Sequence, residues 1–131
     1  MRRWVILTLV FFGMVINGSA QNKIDEIVED FSAPGTSTFS SVVERNPKTR
    51  KVVKVVKVLQ LANISGFPAI KDAFDEEGKN GNLLTQTDRE TTTVTITQEN
   101  KSEIRIYSFS YETRTKRNGV VTIIIKYKKN N

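Results

Sequence analysis

The stretch Lys51 to Leu61, Lys-Val-Val-Lys-Val-Val-Lys-Val-Leu-Gln-Leu, constrains the fold more than any other part of the chain. It packs five valines and two leucines into eleven residues. β-Branched side chains lose χ1 freedom against the preceding turn of a helix but fit a pleated surface, so this run predicts a strand. Val53, Val55, Leu59 and Leu61 fall on one parity and Val52, Val56 and Val58 on the other. A strand apolar on both faces belongs inside a sheet, with cover on each side.

The first twenty residues have a different logic. Arg2 and Arg3 precede an apolar run from Trp4 to Ile16, and Gly18-Ser19-Ala20 supplies the small residues of a cleavage site. The run is shorter than the roughly 20 apolar residues of a membrane span. Residues 1–20 are therefore expected to be a signal peptide, and residues 21–131 a single α+β domain placed in the periplasm or secreted, with no integral membrane span once the signal is removed. The chain has no cysteine, which excludes attachment of lipid to a cysteine and excludes disulfides. A small exported domain without disulfides points to a bacterial setting. Without Arg2 and Arg3 the balance is 18 basic to 14 acidic side chains, net +4. That is an ordinary charge for a soluble domain and does not suggest a nucleic-acid partner.

The remaining elements follow from periodicity. Ile24, Ile27, Val28 and Phe31 form one apolar stripe of a helix, with Asn22 at its N-cap, Asp25, Glu26, Glu29 and Asp30 on the solvent side, and Ala33-Pro34-Gly35 as its stop. Thr36 to Glu44 reads as a strand that turns through Asn46-Pro47-Lys48-Thr49 into the valine strand. A second helix opens at Ser65-Gly66-Phe67-Pro68 and buries Phe67, Ile70, Ala73 and Phe74. Asp72, Asp75, Glu76 and Glu77 crowd its C-terminal end, where the helix dipole disfavours acids. Lys79 to Asn82 reads as a flexible loop.

Three strands complete the pattern. Thr91 to Thr97 alternates, with Val94 and Ile96 inward. Glu103 to Thr113 carries Ile104 and Ile106 on one parity and Tyr107, Phe109 and Tyr111 on the other. That mixture predicts either a bulge near Tyr107 or a strand apolar on both faces. Asn118-Gly119 predicts a tight hairpin turn. Val120 to Lys128 places Val121, Ile123, Ile125 and Tyr127 on the core side, with Lys126, Lys128 and Lys129 guarding a sheet edge. The expected fold is α+β: one antiparallel sheet of about five strands with two helices on one face, in the order α-β-β-α-β-β-β.

Function is constrained chiefly by exclusion. The chain has neither histidine nor cysteine, which removes Cys–His and Ser–His–Asp catalysis, the usual zinc sites, haem ligation and thiol redox chemistry. No phosphate-cradling or serine-nucleophile motif is present, and no cofactor or metal is expected. A carboxylate-based hydrolase is the remaining enzymatic reading. The expectation is a non-enzymatic binding or accessory module that uses an uncovered sheet face to meet another protein or an envelope component. Tyr107, Phe109, Tyr111 and Val56 are the candidate interface residues. The alternative is a cationic surface for anionic polymer or envelope, with Arg114, Lys116 and Arg117 as candidate anion contacts. No motif identifies the ligand or an oligomeric state.

The Ser-Ala-Gln ending of the signal, the opening Ile-Asp-Glu-Ile-Val-Glu-Asp-Phe, the strand Ser-Thr-Phe-Ser-Ser-Val-Val-Glu-Arg and the Lys-Val-Val-Lys run together resemble small exported proteins of unknown function from Bacteroidetes. The resemblance implies envelope or secreted placement and assigns no activity and no functional residue.

Overall fold

Six antiparallel strands lie side by side in the order β1-β2-β6-β5-β4-β3, in a computed structural model that describes residues 22–32, 37–79 and 82–129. The expected signal peptide, residues 33–36 with the predicted Ala-Pro-Gly stop, and Asn80-Gly81 lie outside the described residues. The elements in chain order are α1 (Lys23–Phe31), β1 (Ser37–Arg45), β2 (Val52–Leu61), a short 3-10 turn at Ile64–Gly66, α2 (Phe67–Gly78), β3 (Asn82–Thr87), β4 (Thr91–Glu99), β5 (Glu103–Glu112) and β6 (Val120–Tyr127). The α+β class and the single antiparallel sheet agree with the sequence reading, but there are six strands rather than about five.

The valine strand is β2, hydrogen-bonded to β1 on one side and to β6 on the other. The β2–β6 pairing joins the first hairpin to the β3–β6 meander. It also corrects the expectation for β6, which lies inside the sheet and guards no edge. The added strand is β3, an edge strand exposed along its whole length, which starts at Asn82, the last residue of the expected loop. β5 keeps one register with β4 from Ile104 to Glu112 and one with β6 from Glu103 to Ser110, so it carries apolar groups on both faces and has no bulge. Its link to β6 is a loop of several residues, with Lys116 and Asn118 at positive φ, rather than a two-residue turn.

Both helices cover the same face. Ile24 and Val28 from α1, and Ile70, Ala73 and Phe74 from α2, join Leu59, Val94, Ile96, Tyr107, Phe109, Tyr111, Val121, Ile123 and Ile125 in one buried core. Phe67 and Phe74 pack against Phe109 with ring centroids 5.6 and 5.5 Å apart, and Phe67 meets Tyr111 edge-on at 4.8 Å. Burial of each such ring contributes about 1.5–3 kcal/mol.

The N-terminus of α1 is closed from both sides. Asn22 and Asp25 form a capping box, the Asn22 side chain accepting from Asp25 N at 2.9 Å and Asp25 accepting from Asn22 N at 3.2 Å. Glu77, in the last turn of α2, accepts from Lys23 N at 3.0 Å, and Gln98 of β4 donates to Glu77 at 3.4 Å. Glu77 thus sits unfavourably on its own helix dipole and favourably on that of its neighbour. Part of the acidic crowding at the end of α2 is explained by this contact between helices.

Candidate interaction surface

Strand parity sorts every sheet residue onto the face that α1 and α2 cover or onto the opposite face, which is helix-free among the described residues. Glu103, Arg105, Tyr107, Phe109 and Tyr111 alternate toward the helices. Tyr107 and Phe109 are fully buried and Tyr111 nearly so. The reading that set these three aromatics on an uncovered face is therefore corrected: they are core, because β5 carries its large rings on the side that the apolar helix faces must cover. Val56 lies on the other face, as expected, and is half-buried.

Register across the strands turns the helix-free face into a grid. Val42, Val56, Ile124, Ile106 and Thr97 stand side by side from β1 to β4. One step along the strands lies the row Ser40, Val58, Thr122, Ser108, Thr95. On the opposite flank the row is Glu44, Lys54, Lys126, Ile104, Glu99. None of Val56, Val58, Ile106 and Ile124 joins the buried core, and Val42 is 64% exposed. The face is thus an apolar ridge four strands wide, flanked by hydroxyls on one side and by a lysine pair on the other. Glu99 at the end of the lysine row is held by Lys128 at 2.6 Å.

The three candidate anion contacts gather at one end of the sheet. Arg114, Lys116 and Arg117 all lie exposed in the β5–β6 loop. Lys116 donates to the Thr113 carbonyl at 2.7 Å and stands 5.5 Å from the centre of the Tyr111 ring. The sequence reading missed Arg89, which the β3–β4 turn brings beside Arg114 across a cleft of about 480 Å3 that also includes Glu90, Thr91, Glu112 and Thr115. Glu112 is engaged within its own loop, accepting from Thr115 at 2.5 Å and from the Asn118 amide, and these bonds hold its carboxyl below the usual range. Backbone N–H groups of Thr91 and Glu90 lower Asp88 in the same way.

A buried charge cluster lies on the helix side. Asp25, expected to face solvent, is buried and accepts from the Tyr107 hydroxyl and from Arg105 Nη1, both at 3.0 Å. Arg105 also pairs through Nε with Glu103, which is buried too. Burial opposes the charge on Arg105, but hydrogen bonds with Tyr107 and Glu103 and the nearby Asp25 carboxylate outweigh it, so its pKa is raised. Burial, reinforced by the Asp25 anion, raises the Tyr107 hydroxyl against the opposing pull of Arg105. The two carboxylates are tied to one guanidinium, an arrangement that docks α1 on β5. The parity pattern held the signal for this cluster: Glu103 and Arg105 share the core side of β5 with three aromatic rings.

Lys57 also points to the helix side, at a cleft of about 260 Å3 under α1 that reaches Asp25, Glu29, Phe39 and Ser41. Among the described residues, no group of three or more histidine, cysteine, aspartate or glutamate side chains could hold a metal, and no helix is long and apolar enough to cross a membrane.

No curated protein and no solved structure matches the chain. Residues 21–125 match a family described as a domain of unknown function, DUF5024. That span takes in every element from α1 through most of β6, and the chain belongs to this family.

Proposed function

We propose that this protein is an exported, non-enzymatic binding module that meets a macromolecular partner through the helix-free face of its sheet. The observation that carries the reading is the registered row Val42, Val56, Ile124 and Ile106, an apolar ridge on the side away from both helices. Contiguous apolar surface of this kind marks interaction sites on soluble proteins. The chemistry beside the ridge describes the complement: an apolar protein surface with acidic groups at one margin, to meet Lys54 and Lys126. Export rests on the basic, apolar and small-residue succession of residues 1–20 and on the resemblance to exported Bacteroidetes proteins. The absence of histidine and cysteine, with two buried carboxylates already tied to Arg105, supports binding over catalysis.

The test is site-specific photo-crosslinking in the native envelope. A crosslinker at Val56 or Ile124 should capture a discrete partner that one at Asp75, on the exposed side of α2, does not. Val56→Asp should abolish that capture in a folded protein. Equal capture from both sides, or capture indifferent to Val56→Asp, overturns the reading.

A second reading has its own observation. Arg89 and Arg114 line one cleft, and neither makes an ion pair or side-chain hydrogen bond among the described residues. Two free guanidinium forks suit carboxylate or phosphate groups of an anionic polymer. Retention on heparin that falls with salt and is halved or more in Arg89→Ala/Arg114→Ala supports this site, and salt-independent partner binding argues against it.

A further inference from the structure

We infer that β3 is a self-pairing edge, through which two copies of this chain join antiparallel about a two-fold axis into one continuous sheet. An edge strand exposes unpaired backbone donors and acceptors, and proteins ordinarily blunt such edges with charges, proline or bulges. The two edges here differ in this respect. β1 ends in Glu44 and Arg45, with a break in register between them. β3, Asn82–Thr87, has no charge, no proline and an unbroken register with β4, and it is the only one of the six described strands without a charged residue. Every residue in it is exposed, Leu83 and Leu84 by 51% and 57%.

The ladder shows which backbone groups are free. Asp88 N donates to Thr91 O at 3.0 Å, making Asp88–Thr91 a hydrogen-bonded pair at the β3–β4 turn. Hydrogen-bonded and non-hydrogen-bonded pairs alternate along an antiparallel ladder, so Gln86, Leu84 and Asn82 bond to β4. The amides and carbonyls of Leu83, Thr85 and Thr87 then point away from it. A second copy placed with Thr85 on the two-fold axis sets Leu83 opposite Thr87 and Thr85 opposite Thr85. All of these outward groups are satisfied in that register.

Three features favour a copy of the same chain over an unrelated strand. The pairing is closed and isologous, so it stops at a dimer. The strand carries no charge, so pairing it with itself in this register sets no charged strand residue against another across the seam. Leu84 lies diagonally across from its own symmetry mate, within reach of a long side chain. With the axis normal to the sheet, the helix layers stay on one side and the two helix-free faces merge.

Sedimentation of the purified protein between about 1 and 200 µM tests this. The expected result is a reversible monomer–dimer equilibrium. Thr85→Pro removes only an outward N–H, which an edge strand tolerates. It should raise the dissociation constant tenfold or more, with the melting curve of the monomer retained. The chain has no native cysteine, so Thr85→Cys should give a single disulfide-linked dimer on mild oxidation, while Ser40→Cys on β1 should not. A protein that stays monomeric throughout, a dimer that survives Thr85→Pro, or one lost instead on Val56→Asp overturns the inference. Open-ended assembly linked through Ser40→Cys would show β1–β3 pairing and overturn it as well.

Discussion

The Tyr107 hydroxyl donates to the Asp25 carboxylate at 3.0 Å across 82 residues of sequence, and Arg105 meets the same oxygen atom at the same distance. These bonds pin the first helix to the sheet at a position where Tyr107 and Asp25 are both buried. Removing the donor alone, by Tyr107→Phe, should cost about 1.5–3 kcal/mol, the range for a hydrogen bond to a charged group. Arg105→Leu should cost more, about 3–5 kcal/mol, because it leaves two carboxylates buried without a counter-charge. Urea unfolding measures both, and hydrogen exchange should localise the early loss to Ile24–Val28. Equal stability of Arg105→Leu and the parent would show that this cluster does not hold the helix.

The same cluster predicts sensitivity to alkali. Burial raises the Tyr107 hydroxyl above its ordinary value, and burial with the nearby Glu103 does the same to Tyr127. A group whose pKa is raised on folding contributes stability that is complete below its unfolded value. That contribution is lost as pH climbs past it, here from about pH 10 upward. Tyrosinate absorbance and circular dichroism followed together should show Tyr107 ionising only as the fold is lost. Tyr107→Phe should flatten the alkaline decline.

At the other end of the scale the sign reverses. Side-chain bonds from Thr115 and Asn118 lower Glu112, and backbone amides lower Asp88. Each therefore stabilises the fold above its unfolded value, and each loses that contribution as pH falls below about 4. Between about pH 6 and 3 the melting temperature of Glu112→Gln should fall less than that of the parent protein. Both carboxylates are exposed, so salt should weaken the difference.

Gly119 marks a close approach. Its carbonyl accepts from Leu61 N at 2.9 Å, where the end of β2 meets the start of β6. A methyl group there would come within 2.9 Å of Leu61 Cδ1 and 3.2 Å of Phe109 Cε1. Phe109 is fully buried and has little room to yield. Gly119→Ala should lower stability by about 1–2 kcal/mol, read from the denaturation midpoint.

The two faces of the sheet should respond differently to substitution. Phe74→Ala opens a cavity beneath α2 and should cost about 3–5 kcal/mol. Val42→Asp, on the exposed edge of the apolar ridge, should change stability by no more than about 0.5 kcal/mol. A large loss at Val42 would mean that the ridge is covered within the free protein, and the proposed surface would be withdrawn.

Much of this arrangement could be read from local pattern. The parity of β2, the apolar stripe of α1, the inward set of α2 and the alternation of β4 each follow from a two- or 3.6-residue period over a few turns of chain. β3 escaped because Asn82–Thr87 has only two adjacent leucines and lies at an edge, so it carries no burial pattern for a period to show. Asp25 escaped because a capping carboxylate looks solvent-facing until Tyr107 and Arg105 arrive from the far end of the chain.

The amino-acid order alone determined which segments extend, which coil, and which side chains share a face, since those depend on neighbours a few residues away. Tertiary structure decided the rest: that β6 inserts between β2 and β5, that the helices cover the aromatic side of β5 rather than its isoleucine side, and that one guanidinium serves two buried acids. Those outcomes turn on the total apolar area removed from water and on pairing every buried polar group. Both are sums over contacts between residues far apart in the chain, so no short window of sequence contains them.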